Sequence, residues 1–321
     1  MTAKGKHTPH PDCHKQFKSP GAVAGGKAGG AARVPKGFAS ARVMRKALAT
    51  RKRNKLRGDS DMSLIYEPRG KAREYSPLAL NIYSGGCDHG CMYCYCAGMQ
   101  RAFGRTWNLD AQPRDLSGLG REAAKAKRQI LLCFVGDPYC RAETIHRKTR
   151  EALGVLASAR CSVAILTKGG KRCLEDVDIF RVWPDGRIKV GATLTFLDPV
   201  RSAEIEPGAA SPQERLAVLD QLHGQGVQTW ASIEPVIDPV ESLAMIRASV
   251  ACVDAYKVGK LNHAASKTDW RSFGMAAVDL IRAAGKRVYV KADLRPFMPD
   301  GFLKPEECDM NALSLPDRDL T

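Results

Sequence analysis

Between residues 78 and 291 the chain alternates short apolar runs of strand length with longer stretches whose apolar residues recur at helical spacing. The short runs predict strands at 78–83, 130–135, 162–167, 188–195, 227–233, 252–258 and 287–291. The longer ones predict helices at 122–128, 142–159, 170–182, 212–225, 239–249 and 270–284. One helix carries its own start signal: Ser211 at the N-cap, Pro212 at the first helical position and Glu214 three residues after the cap. Within 142–159, Ile145, Leu153 and Leu156 predict one buried stripe, with Arg147, Lys148 and Arg150 on the other faces. Strand and helix in repeated alternation, with β-branched strands, imply parallel pairing. The predicted fold class is therefore α/β, a partial or full (β/α) barrel of parallel strands, with an open doubly wound sheet as the second arrangement. In either geometry the chemistry belongs at the C-terminal ends of the strands.

Charge divides the chain. Of 50 Lys/Arg and 34 Asp/Glu in 321 residues, residues 1–60 hold 15 and 2, so most of the net +16 sits there and the remainder is nearly balanced. That segment is rich in Gly, Ala, Lys and Arg and poor in large apolar side chains, which predicts a disordered basic N-terminal arm. The expected organisation is an arm at 1–60, a barrel domain at 61–295 and a C-terminal extension at 296–321. His7, His10, Cys13 and His14 lie close together in the arm, but metal sites usually pair ligands across a folded loop, and a flexible arm is the simpler reading. No run of about 18 apolar residues predicts a membrane span. No apolar segment follows the early lysines as a secretory signal requires, so a cytoplasmic location and no membrane partner are expected. In a reducing compartment an odd count of 11 cysteines is not a disulfide framework, and tight local spacing becomes the feature to seek.

That spacing follows the first predicted strand: Gly85-Gly86-Cys87-Asp88-His89-Gly90-Cys91-Met92-Tyr93-Cys94-Tyr95-Cys96. Three cysteines at C-x3-C-x2-C on a glycine-bracketed loop can converge on one metal centre. A [4Fe-4S] cluster takes Cys thiolates on its irons, so three ligands leave one iron open. Zinc is the competing reading, and it prefers four closed ligands from two separated knuckles. Cys96 is either a fourth ligand or, given the tight Cys94-x-Cys96 spacing, a bystander.

This loop, placed after the first strand of a (β/α) pattern, resembles the radical S-adenosylmethionine (radical SAM) superfamily. The segment from Arg73 to Tyr83 and the later strand ends resemble the branch related to spore photoproduct lyase, a DNA-repair enzyme, over roughly residues 66–295. The doubled Gly85-Gly86 departs from that branch. The resemblance implies Cys87, Cys91 and Cys94 as cluster ligands, SAM on the open iron, and Tyr93 near the adenine. It implies Gly136 and Asp137 at the SAM amino group, and a hydrogen-donor role for Cys140, whose other reading is a small buried hydrophobe. Thr167, Lys168, Thr193 and Thr195 end strands and are candidates for polar contacts to SAM or substrate; Glu204 and Glu206 follow the fourth strand, and Arg215 offers its planar fork to the SAM carboxylate or stays a helix residue. Glu234, Lys257, Lys260 and Asn262 end the fifth and sixth strands as substrate candidates or structural ion pairs. The implied activity is reductive cleavage of SAM to a 5'-deoxyadenosyl radical that abstracts hydrogen, as in a carbon–carbon lyase. It needs a low-potential electron donor such as a flavodoxin or ferredoxin. The basic arm points to DNA or other nucleic acid as partner and substrate. A different class of function competes: a nucleic-acid-binding protein whose cysteine loop holds a structural zinc or closed cluster without catalysis.

Overall fold

The computed structural model describes residues 63–102, 104–262 and 266–318; the predicted arm, with its three histidines and Cys13, lies outside the described residues. Leu64–Asn262 and Ser266–Thr321 form one compact unit, and the second unit, Met1–Ser63 with His263–Ala265, falls almost wholly outside the described residues. Among the described residues ten strands occur: β1 (Ile65–Tyr66), β2 (Leu78–Leu80), β3 (Tyr83–Ser84), β4 (Gln112–Pro113), β5 (Ile130–Leu132), β6 (Val163–Thr167), β7 (Ile188–Thr193), β8 (Gln228–Ile233), β9 (Ala255–Val258) and β10 (Arg287–Val290). Eight make one sheet in the order β1-β2-β5-β6-β7-β8-β9-β10, and β3 pairs with β4 as a separate ribbon. β1 lies antiparallel on β2; every later pair is parallel. The order never reverses, so the sheet has no switch point of the kind a doubly wound sheet requires. β10 and β1 are the two unpaired edges, which leaves a partial barrel.

The α-helices among the described residues are α1 (Tyr95–Ala102), α2 (Leu119–Lys125), α3 (Glu143–His146), α4 (Lys148–Ser158), α5 (Val177–Arg181), α6 (Pro199–Ile205), α7 (Pro212–Gly224), α8 (Pro239–Ser249), α9 (Trp270–Ala283) and α10 (Pro305–Cys308). Alternate strand residues serve two faces. Ile130, Leu132, Val163, Ile165, Ile188 and Val190 pack against Leu153, Leu156, Val218 and Leu222 of the helices. Leu131, Ala164, Trp230, Ala255 and Tyr289 meet on the other face with Leu313. Trp230 fills that interior and donates from Nε1 to the Ile165 carbonyl at 2.9 Å. Gly191 makes room for it, since a Cβ there would stand 2.6 Å from Trp230 Nε1. The end of the chain crosses the starts of the strands: Leu315 N donates to Gln129 Oε1 at 2.9 Å, Ser162 Oγ to the Pro316 carbonyl at 2.5 Å, and Lys189 to the Leu313 carbonyl.

Several expectations are corrected. The predicted helix 142–159 breaks at Arg147, which takes a left-handed φ of 47°. The buried Glu143 carboxylate there accepts from the Thr149 and Arg150 amides at 2.7 and 3.1 Å and so starts α4 afresh. Ile145 consequently lies outside the buried stripe, at 75% exposure. The strand predicted at 78–83 stops at Leu80, and the one at 130–135 stops at Leu132, for one reason. Asn81 Oδ1 accepts from the Phe134 and Val135 amides at 2.8 and 3.0 Å, replacing ladder bonds between the two strands with side-chain bonds. The first part of the predicted helix 170–182 is a 3₁₀ turn, Gly170–Asp176. The cap at Ser211 forms as read, with the Glu214 amide donating at 3.1 Å, while the Glu214 carboxylate accepts from Lys171 N rather than closing the box.

Candidate metal and cofactor site

The cysteine loop leaves the sheet past the C-terminal end of β2. Its doubled glycine is steric: a Cβ on Gly86 would stand 2.6 Å from Asn108 Oδ1 and 2.7 Å from two carbonyls, and Cys87 N donates to one of these, that of Asn108, at 3.1 Å. Cys87, Cys91 and Cys94 are partly exposed, whereas Cys96 is buried. Burial pushes the Cys87 thiol up, with Asp137 adding to it, and lifts Cys91 to about 11 against the pull of Lys168. Cys94 falls to about 6, chiefly through a hydrogen bond from Cys96.

A tetrahedral zinc site brings its sulfurs within about 3.8 Å of one another. Among the described residues the group whose ligand atoms all lie within 4.8 Å is Cys87, Asp88 and His89, not the three cysteines. Asp88 Oδ1 already accepts from Arg141 N at 2.9 Å. His89 is spent as well: Nδ1 faces the Gly208 carbonyl at 3.1 Å, and Nε2 stands 3.1 Å from Asp137 Oδ2, close enough for an ion pair though not aligned as a hydrogen bond. The wider separation of the thiols suits a cluster whose ligands sit on different irons.

The structure gives most of the other predicted cofactor residues to holding this loop. Gly136, at φ 106°, lies against it, 3.5 Å from the Gly86 carbonyl at the place of a Cβ. Asp137 accepts from Tyr139 N at 2.8 Å, Thr167 Oγ1 at 2.6 Å and Lys168 N at 2.8 Å. Burial raises its carboxyl, but His89 and the bonds from Thr167 and Lys168 outweigh that and hold it below the ordinary range. Arg215 is fully engaged: Nε to the Ala210 carbonyl, Nη1 to that of Thr193, both at 2.9 Å, and Nη2 to Glu206 at 2.5 Å. The Thr193 carbonyl is thereby taken. Glu206 also receives the hydroxyls of Tyr93 and Thr195. Lys168 differs. Its ammonium lies 5.4 Å from the centre of the Tyr93 ring, and Cys91, Glu206 and Asp137 raise its pKa although burial opposes them. Cys140 is fully buried in the apolar cluster with Cys133 and Tyr139.

A second polar group stands at the ends of β8, β9 and β10. Glu234 accepts from Tyr75 OH at 2.7 Å, from Asn262 Nδ2 at 2.5 Å and from Lys291. Its ion-pair partner is Lys291 and not Lys257. Register explains this: Lys257 sits within β9 opposite Ser232 and Tyr289, and donates to the Glu74 and Tyr75 carbonyls. Lys260 stands apart, over the rings of Trp270 and Phe297 at 5.6 and 5.9 Å. Lys71 joins the group, bonded to Asn262 and to Asp293 at 2.7 Å. Sequence reasoning missed His89, Tyr75 and Lys291; strand-end position was the signal available for Lys291.

No family model matches the chain. Streptococcus suis SuiB bound to S-adenosylmethionine superposes with a TM-score of 0.52 and 14% identity, over 78% of this chain and 62% of that one. The fold is a partial (β/α) barrel of the kind SuiB has. SuiB bound to its precursor peptide SuiA gives a TM-score of 0.50 over 76% and 60% of the two chains. Spore photoproduct lyase aligns at a TM-score of 0.49 and 14% identity over 70% of this chain and 64% of that one. By sequence, an uncharacterised protein of Methanocaldococcus jannaschii is 29% identical over 154 residues, 47% of this chain and 58% of that protein. An uncharacterised protein of Mycobacterium tuberculosis is 25% identical over 183 residues, 53% and 54% of the two. The barrel chain thus spans little more than half the length of these relatives. Among its described residues no helix is long and apolar enough to cross a membrane.

Proposed function

We infer that the protein is a radical SAM iron–sulfur enzyme in which Cys87, Cys91 and Cys94 hold a [4Fe-4S] cluster that leaves one iron for SAM. The observation that supports this most directly is the loop itself: three partly exposed thiols at the C-terminal end of a parallel barrel, spaced too widely for one ion, with a cationic Lys168 beside them. Together, cluster and SAM supply one-electron cleavage of SAM for hydrogen abstraction. The chain's own residues do the rest. Lys168, whose ammonium carries no hydrogen bond or ion pair among the described residues, is assigned to the SAM carboxylate in place of Arg215. Tyr93 forms the wall beside it, and Asp137 and Thr167 hold the loop rather than the amino group. Glu234, Asn262, Tyr75 and Lys291 line the substrate end. Cys140, closed off in the core, is left out of the chemistry.

Nucleic acid is the substrate class this reading favours, supported by the basic residues 1–60, and a flavodoxin or ferredoxin would supply the electron. A lyase-like repair of damaged DNA is the finer form. The test is dithionite-dependent release of 5'-deoxyadenosine from the anaerobically reconstituted protein, with and without damaged DNA at low salt. Release without stimulation by DNA or RNA keeps the enzyme and removes the substrate; a colourless protein that retains zinc supports the structural-metal reading instead.

A further inference from the structure

The cysteine loop has two gaps between its cysteines, and from each a side chain runs to a buried carboxylate. From the gap between Cys87 and Cys91 comes His89, 2% exposed, facing Asp137 and the Gly208 carbonyl. The same residue's carbonyl accepts from Gly208 N at 2.9 Å, and only glycine fits at 208, where a Cβ would stand 1.9 Å from the Asp88 carbonyl oxygen. From the gap between Cys91 and Cys94 comes Tyr93, whose hydroxyl donates to Glu206, while Met92 N donates to the Ile205 carbonyl at 2.9 Å.

Both side chains end on carboxylates anchored elsewhere. Asp137 is bonded to the end of β6 through Thr167 and Lys168. Glu206, with no exposed side-chain surface, is bonded to α7 through Arg215 and to the end of β7 through Thr195. Residues 86–94 form no helix or strand of their own, so their conformation must be set by such contacts. We propose that Asp137 and Glu206 are the two fixed ends of a clamp on the cysteine loop, so that the barrel dictates the thiol positions through His89 and Tyr93. This rests on the reading that the three thiols hold the cluster, and it makes all four side chains positioning residues.

The test is amide hydrogen exchange, resolved by residue, on the metal-free full chain. Tyr93→Phe removes one hydroxyl and keeps the Glu206–Arg215 pair. It is expected to speed exchange at the Met92 amide roughly tenfold or more, the scale of a hydrogen bond to a charged group, and to leave the Gly208 amide unchanged. Glu206→Gln added to Tyr93→Phe is expected to add little at Met92, because both remove one tether. His89→Asn is expected to speed Gly208 and to combine additively with Tyr93→Phe, because the tethers are separate. An unchanged Met92 rate in Tyr93→Phe overturns the clamp, and so does an equal rise throughout α9, which reports general loosening. A wild-type chain that takes up no iron contradicts the functional reading, while the exchange rates still decide the clamp.

Discussion

At the scale of single residues, the proposed site has groups assigned to a cofactor and groups that hold the loop. Lys168 is proposed for the first kind: it lies over the Tyr93 ring, and its backbone amide is fixed by Asp137. Lys168→Met is expected to raise the SAM dissociation constant roughly tenfold to a hundredfold, the value of a charge-assisted hydrogen bond, with iron content unchanged; equilibrium binding to the reconstituted protein measures it. Cys96 belongs to the second kind, buried and with its thiol in weak contact with the Phe134 carbonyl. Cys96→Ala is expected to retain full iron stoichiometry. A loss equal to that of the Cys94 variant would make Cys96 a ligand.

At the scale of elements, the barrel depends on how its inner face is filled. Trp230→Ala removes the largest buried interior side chain along with its bond to Ile165. About 3–5 kcal/mol of stability is expected to be lost, measurable by chemical denaturation. Strand and helix positions from residue 130 onward were legible because apolar runs and helical spacing report local burial directly. The interruptions were not. Asn81 ends two strands and Glu143 restarts a helix through bonds to backbone 53 and 6 residues away, and a pattern of apolar positions carries no record of such bonds. The site was legible in the same uneven way. Cys87, Cys91 and Cys94 were marked by spacing. The partners of Asp137, Arg215 and Glu234 were not, since each depends on which neighbouring strand end faces it. Arg215 reads from sequence as a ligand candidate or as a helix residue, and its pairing with Glu206 is the contact that the sequence does not record.

At the scale of the whole molecule, the barrel's open side is crossed by polar contacts. Lys257, 1% exposed, donates to the Glu74 and Tyr75 carbonyls and faces Lys291, Glu74 and the Tyr75 and Tyr289 rings. Burial first, then Lys291, lowers its pKa from 10.5 to about 7, against Glu74. Between those values the unfolded chain binds the proton that the folded chain has released, so this group's contribution to stability rises with pH and is flat below about 7. Lys257→Met is expected to flatten the rise in unfolding free energy between pH 7 and 10. An identical slope in wild type and variant would contradict the assignment. The fold serves the cysteine loop in the end, and the most direct measurement is iron bound after anaerobic reconstitution, with the electron paramagnetic resonance of the reduced protein before and after SAM. Four irons per chain, a signal that changes on adding SAM, and loss of both in Cys87→Ala, Cys91→Ala and Cys94→Ala are the expected result. A single zinc per chain, or four irons whose signal ignores SAM, would contradict it.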